Sequence, residues 1–155
     1  MVNIIFTKAL EQIQKTNLDW ETAVLCVLLE RSTSAYTPDR DQDYLDSFTG
    51  GGGVEISVVS YARRTLTGAN INLNDPLDQV EFQCDNVAFG SLESGQTVKA
   101  LLVYLQVGGD DGTPEDDILI AYIDTDSLGA LPVALGGGAF NVTINGEGLM
   151  KLAQA

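Results

Sequence analysis

Three aspartates, Asp39, Asp41 and Asp43, stand at every second position of PDRDQDYLD. Alternating oxygen ligands are what the first half of a calcium-binding loop supplies. The rest of that pattern is not there: the turning glycine expected at the sixth position is Tyr44, and the acid expected at the twelfth is Gly50. The segment reads as an acidic loop with calcium-like spacing rather than as a metal site. A second concentration of carboxylates, Asp110, Asp111, Glu115, Asp116 and Asp117, crowds one turn. Glycoside hydrolysis needs only two carboxyl groups, but a solvated turn has no burial with which to raise the pKa of either. A single Trp is also little with which to line a sugar groove.

The chain contains no histidine. That removes Ser-His-Asp and Cys-His nucleophile pairs, HExxH sites and most catalytic zinc sites. Cys26 and Cys84 form no C-x-x-C motif and sit in apolar stretches. They read as small buried hydrophobes in a reducing compartment, with a disulfide between them left open. The run Gly50 to Gly53 lacks the Lys-Ser/Thr of a phosphate loop and reads as a flexible joint. Arg63 and Arg64 are the one adjacent basic pair. In a strand they point to opposite faces, and in so acidic a chain a carboxylate partner is expected for at least one, within the monomer or across an interface. No nucleophile or base can be named, so no enzyme, metal or cofactor is expected.

The elements that must position these residues are mostly strands. Ile5, Ala9 and Ile13, with Phe6 and Leu10, recur at helical spacing and predict an amphipathic helix within residues 1–18. TAVLCVLLER, Thr22 to Arg31, is apolar on both faces, as in a central strand covered on each side. Ser32 to Gly53 is polar and irregular, and reads as an extended arm or interaction loop. Val54 to Leu66 alternates, then slips phase at Val59, which suggests a bulged strand.

Val80, Phe82 and Cys84 alternate with Glu81, Gln83 and Asp85, predicting a strand with one solvated face. TVKALLVYLQV and ILIAYI are again apolar on both faces. Phe140, Val142 and Ile144 lead to Asn145-Gly146, a hairpin signal before a last strand near Leu149 to Leu152. The sum is one domain over residues 1–155: an antiparallel β-sandwich or partly closed barrel of about seven or eight strands with one N-terminal helix.

The formal net charge is −14, from 22 acidic and 8 basic residues. Such a surface repels nucleic acid and anionic lipid, so neither is expected as a partner. The N-terminal stretch has no signal-peptide pattern and no run is long enough for a membrane helix, so a soluble product of a cytoplasm is expected.

Several segments, taken in order, resemble a family of small structural proteins of tailed bacteriophages. They are IFTKALEQIQKTNLDWETAVLCVLLE, AYTPDRDQDYLDSF, YARRTLTG, ILIAYIDT and FNVTINGEGLMKL. The resemblance spans nearly the whole chain, although its motifs are strand and turn patterns, and Gly50 to Gly53 lengthens one joint relative to the family. It implies a capsid-decorating (cement) protein on the outer face of the head, bound to the major capsid protein or other virion proteins. It also implies homo-oligomers, with a trimer favoured. A tail, collar or fibre component is the alternative within that class, and a carbohydrate- or calcium-binding adhesion sandwich the alternative outside it. On the first reading the docking arm is Ala35 to Gly53. Tyr36, Tyr44, Leu45 and Phe48 would be its apolar anchors, and Asp39, Asp41, Asp43, Arg63 and Arg64 the charged contacts.

Overall fold

The computed structural model describes residues 3–109, 112–125 and 131–153. It is mainly β and antiparallel, sandwich-like rather than a closed barrel. Eleven strands occur among the described residues, more than expected because several are only two residues long.

The N-terminus contributes β1 (Ile4–Ile5) and helix α1 (Thr7–Gln14). Ile5 thus belongs to a strand, in register with Ala121, while Ala9 carries the buried face of the helix. Next come β2 (Leu25–Arg31), a short helix α2 (Asp46–Gly50), and β3 (Arg64–Thr65). With β7 (Thr97–Leu105), β8 (Ile118–Ile123) and β9 (Val133–Ala134), these strands form a six-stranded sheet. Its path is β1-β8-β7-β2-β3, and β9 pairs with β7 beyond the end of β8.

The remaining strands make two small sheets. β4 (Asn70–Asn74), β5 (Gln79–Gln83) and β11 (Met150–Ala153) form one, in the order β11-β5-β4. β6 (Val87–Ser91) and β10 (Ala139–Val142) form the other. The Asn145-Gly146 turn therefore joins two sheets instead of closing a hairpin: β10 pairs with β6, and β11 with β5.

Central strands apolar on both faces need cover on both. On one face Val27, Leu29, Leu101 and Val103 pack against Phe82 and Met150 of one small sheet and Val87 and Phe89 of the other. On the other, Leu28, Leu102, Tyr104 and Tyr122 pack against Tyr36, Leu45 and Phe48. The expected arm is therefore the third layer of the fold.

Two further expectations give way. Val54 to Leu66 is not one bulged strand. It touches β2 at the bridge Glu30–Glu55, leaves the sheet in a turn where Val59 is 92% exposed, and returns only as β3. The phase slip marks that excursion. Among the residues of the acidic turn, Asp110 and Asp111 lie outside the described residues, and Asp117 is buried rather than solvated. Its Oδ1 accepts the Val107 N–H at 2.8 Å, closing the turn between β7 and β8.

Candidate functional site

The segment 32–53 holds most of the candidate docking residues, and its apolar members turn inward. Tyr36, Leu45 and Phe48 are each at most 2% exposed. Tyr36 meets Phe48 edge-on at 5.1 Å and Tyr122 at 5.9 Å between ring centres. They anchor the segment to its own sheet and are not available as outward contacts. Tyr44 is half-buried, with the Lys8 ammonium 5.8 Å from its ring centre.

Within Gly50 to Gly53, Gly51 and Gly53 are closely packed, while Gly50 faces open space. A Cβ at Gly53 would collide with the carbonyl and ring of Phe48, and Gly52 takes a φ of +82°. The flexible joint read from composition is a tight return under an aromatic ring, which only glycine allows.

The aspartates of the segment serve turns. Asp39 and Asp41 are exposed, and Asp39 Oδ1 accepts the Asp41 N–H at 3.1 Å. Asp43 is half-buried, and its carbonyl accepts the Leu119 N–H at 3.0 Å. Among the described residues no group of three acids, cysteines or histidines is placed to hold a metal ion.

Beneath this cover lies a buried polar network. Glu30 is fully buried; Tyr122 Oη donates to its Oε2 at 2.6 Å and Lys99 Nζ to its Oε1 at 3.2 Å. Lys99 also donates to the Tyr36 carbonyl at 3.1 Å, and Tyr36 Oη donates to Gln42 Oε1 at 2.6 Å. A charge removed from water is tolerated when paired and hydrogen-bonded, and here the pairing also fastens the cover to β2, β7 and β8. Burial, and then the bond to Glu30, push the Tyr122 hydroxyl far above the ordinary tyrosine range, so it acts as a fixed donor.

Arg63 and Arg64 do point to opposite faces. Arg63 forms a paired contact with Glu55, at 3.1 Å from Nε to Oε1 and 3.0 Å from Nη2 to Oε2. It also lies 5.6 Å from the centre of the Tyr104 ring. Burial works against its charge, but the bonds to Glu55 prevail and hold its pKa above the usual guanidinium value. The carboxylate partner is thus intramolecular. Arg64 instead donates to the Phe89 carbonyl at 3.0 Å, tying β3 to β6.

No disulfide joins the two cysteines. Cys26 is buried and Cys84 half-buried, the latter with its pKa pushed up to about 11 by burial and then by Asp85.

Sequence reading missed Glu81. Alternation places it on the polar face of β5, yet it is 1% exposed. Four side-chain amides roof its carboxylate: Asn74 at 2.7 Å, Asn72 at 2.8 Å, Gln79 at 2.7 Å and Gln83 at 3.0 Å. These bonds, Asn74 first, hold its pKa down at about 2. The signal available was Asn70, Asn72 and Asn74 beside Gln79, Glu81 and Gln83, two polar alternations that become one face when β4 pairs with β5. The opposite face of this sheet leaves Ile71, Leu73 and Leu152 at 44%, 70% and 38% exposure.

Between the large sheet and the β6–β10 ribbon lies an apolar cavity of about 670 Å³, walled by Val27, Leu101, Val103, Phe140, Val142 and Leu149. No acidic or basic side chain occurs among its described lining residues, so they bring no proton donor or acceptor of catalytic type to it. Among the described residues no helix is long and apolar enough to cross a membrane. Comparison with protein-family models, curated proteins and solved structures found no match to this chain.

Proposed function

We propose that the chain is a non-catalytic structural protein of a tailed-phage virion, a decoration protein that sits on the outer face of the head and bridges copies of the major capsid protein. The observation that carries this reading is where the family-like segments fall in the fold. AYTPDRDQDYLDSF is the cover over the second face, YARRT supplies the Arg63–Glu55 and Arg64–Phe89 ties, and ILIAYI is β8. Each of these stretches braces the molecule, and Arg63 and Arg64 are bound internally.

The charge supports the same reading. At −14 the protein stays dispersed and is repelled by DNA until a specific surface engages it. Docking through the 32–53 segment falls to its outward groups, Asp39 and Asp41 with Tyr44 beside them, because Tyr36, Leu45 and Phe48 are committed to the core.

The test is cryo-electron microscopy of the particle that carries the chain. Many copies on the outer shell are expected. Density confined to the portal vertex, tail or fibres would move the reading to a tail component, and absence from the particle would overturn it.

A further inference from the structure

The three-stranded sheet ends at the free edge of β4. Two hydrogen bonds show which of its peptide groups face outward. The Leu149 N–H donates to the Phe82 carbonyl at 2.9 Å, so Phe82 turns its peptide groups towards β11. Its partner in register, Ile71, therefore turns away from β5, and the Ile71 N–H points at Glu21 Oε1, 3.4 Å away. Leu73, two residues on, points the same way. The outward-facing ladder groups of β4, of which the Ile71 N–H is held by Glu21, thus belong to two residues whose side chains are also exposed.

The strand reads Asn-Ile-Asn-Leu-Asn, nearly the same in both directions. We propose that β4 pairs antiparallel with β4 of a second copy about a two-fold axis through Asn72, joining the two small sheets into one. In that register Ile71 and the second copy's Leu73 exchange both ladder hydrogen bonds, Asn72 faces its own counterpart, and Asn70 faces Asn74. A two-fold interface requires this kind of self-complementarity.

Charge favours the same edge. In a chain of −14, β4 carries no charged residue, and the carboxylate on its amide face, Glu81, is roofed over. The edge has none of the lysine, proline or bulge that keeps edge strands apart, and its register with β5 is unbroken. Leu152, 38% exposed, lies on the same face as Leu73, across Val80 of β5. Pairing through one five-residue edge strand is concentration-dependent. It strengthens with salt, which screens the repulsion between two acidic copies. Glu21 is the competing group, and Glu21→Ala strengthens the pairing. This inference does not depend on the capsid reading, and a two-fold pair differs from the trimer that the resemblance implies.

The experiment compares Asn72→Cys with Asn74→Cys under mild oxidation on non-reducing gels. Across the axis the Asn72 Cα atoms would lie about 4.5 Å apart, within the roughly 4.4–6.8 Å span of a disulfide. The Asn74 pair would be more than about 10 Å apart. Asn72→Cys is expected to cross-link about tenfold or more faster than Asn74→Cys or the wild type, which carries Cys26 and Cys84. Sedimentation of the wild type should move towards twice the monomer mass as concentration rises. Leu73→Pro deletes an N–H that β5 does not use, and should hold the protein monomeric with its melting curve retained. Equal cross-linking of the two cysteine variants, a monomer at every concentration, or an oligomer indifferent to Leu73→Pro would overturn the proposal.

Discussion

On one face of the central sheet, Val27, Leu29, Leu101 and Val103 lie under hydrogen-bonded strands; on the other, Leu28, Leu102 and Tyr104 lie under a segment with one short helix and little other regular structure. The strand cover satisfies its backbone through its own ladders. The irregular cover has to borrow partners. The Leu45 N–H goes to the Asp117 carbonyl at 2.8 Å, the Asp46 N–H to the Pro114 carbonyl at 3.0 Å, and the Leu119 N–H to the Asp43 carbonyl at 3.0 Å. It also sets Glu30, Lys99, Tyr36 and Tyr122 beneath it as polar fasteners. A buried segment without a ladder is held in place by such specific bonds, because every buried peptide group needs a partner.

That contrast can be broken most severely by deleting residues 35–53. The deletion uncovers Leu28, Leu102 and Tyr104, and loss of cooperative thermal unfolding is expected. A sharp melt at the wild-type midpoint would show that the segment is not a layer of the fold. Next in size is Phe48→Ala, which empties a site 1% exposed and should cost about 3–5 kcal/mol in denaturant unfolding. A loss below about 1 kcal/mol would mean that the cover collapses easily onto the sheet.

Lys99→Met leaves Glu30 buried with Tyr122 but without its cation, and is expected to cost about 2–3 kcal/mol. Lys99→Arg should recover part of that if the bond, rather than the packed stem, is what matters.

A smaller effect sharpens the comparison from the other side. The Glu81 pKa is held down at about 2 from an ordinary 4.5. The folded state therefore binds fewer protons than the unfolded one. The resulting stabilisation is complete above the unfolded pKa and is lost as pH falls through the folded one. Urea midpoints measured from pH 5 down to about pH 2 should fall less steeply in Glu81→Gln than in wild type. Equal slopes would show that the amide roof does not tune this carboxylate. The smallest effect is kinetic: with its pKa at about 11, Cys84 should react with iodoacetamide at pH 8 more slowly than a free thiol.

Much of the framework was legible because backbone periodicity is local. The helix, the doubly apolar strands β2, β7 and β8, and the opposed directions of Arg63 and Arg64 all follow from which residues share a face. Tyr36, Leu45 and Phe48, expected as the outward anchors of an arm, instead point inward. A polar, glycine-ended stretch containing Tyr36, Leu45 and Phe48 looks like an arm until something nearby needs covering. Glu81 failed for the matching reason: alternation puts it opposite Phe82, and says nothing of the asparagines that close over it.

By itself the sequence determined a mainly β, acidic chain without histidine, whose central strands demand cover on both faces. Tertiary structure alone decided that the 32–53 segment supplies one of those covers, that Asp117 and Glu81 are buried, and that Asn145-Gly146 links two sheets rather than closing a hairpin. The physical reason is that periodicity sets the direction of a side chain, whereas burial depends on distant residues brought over it by the fold.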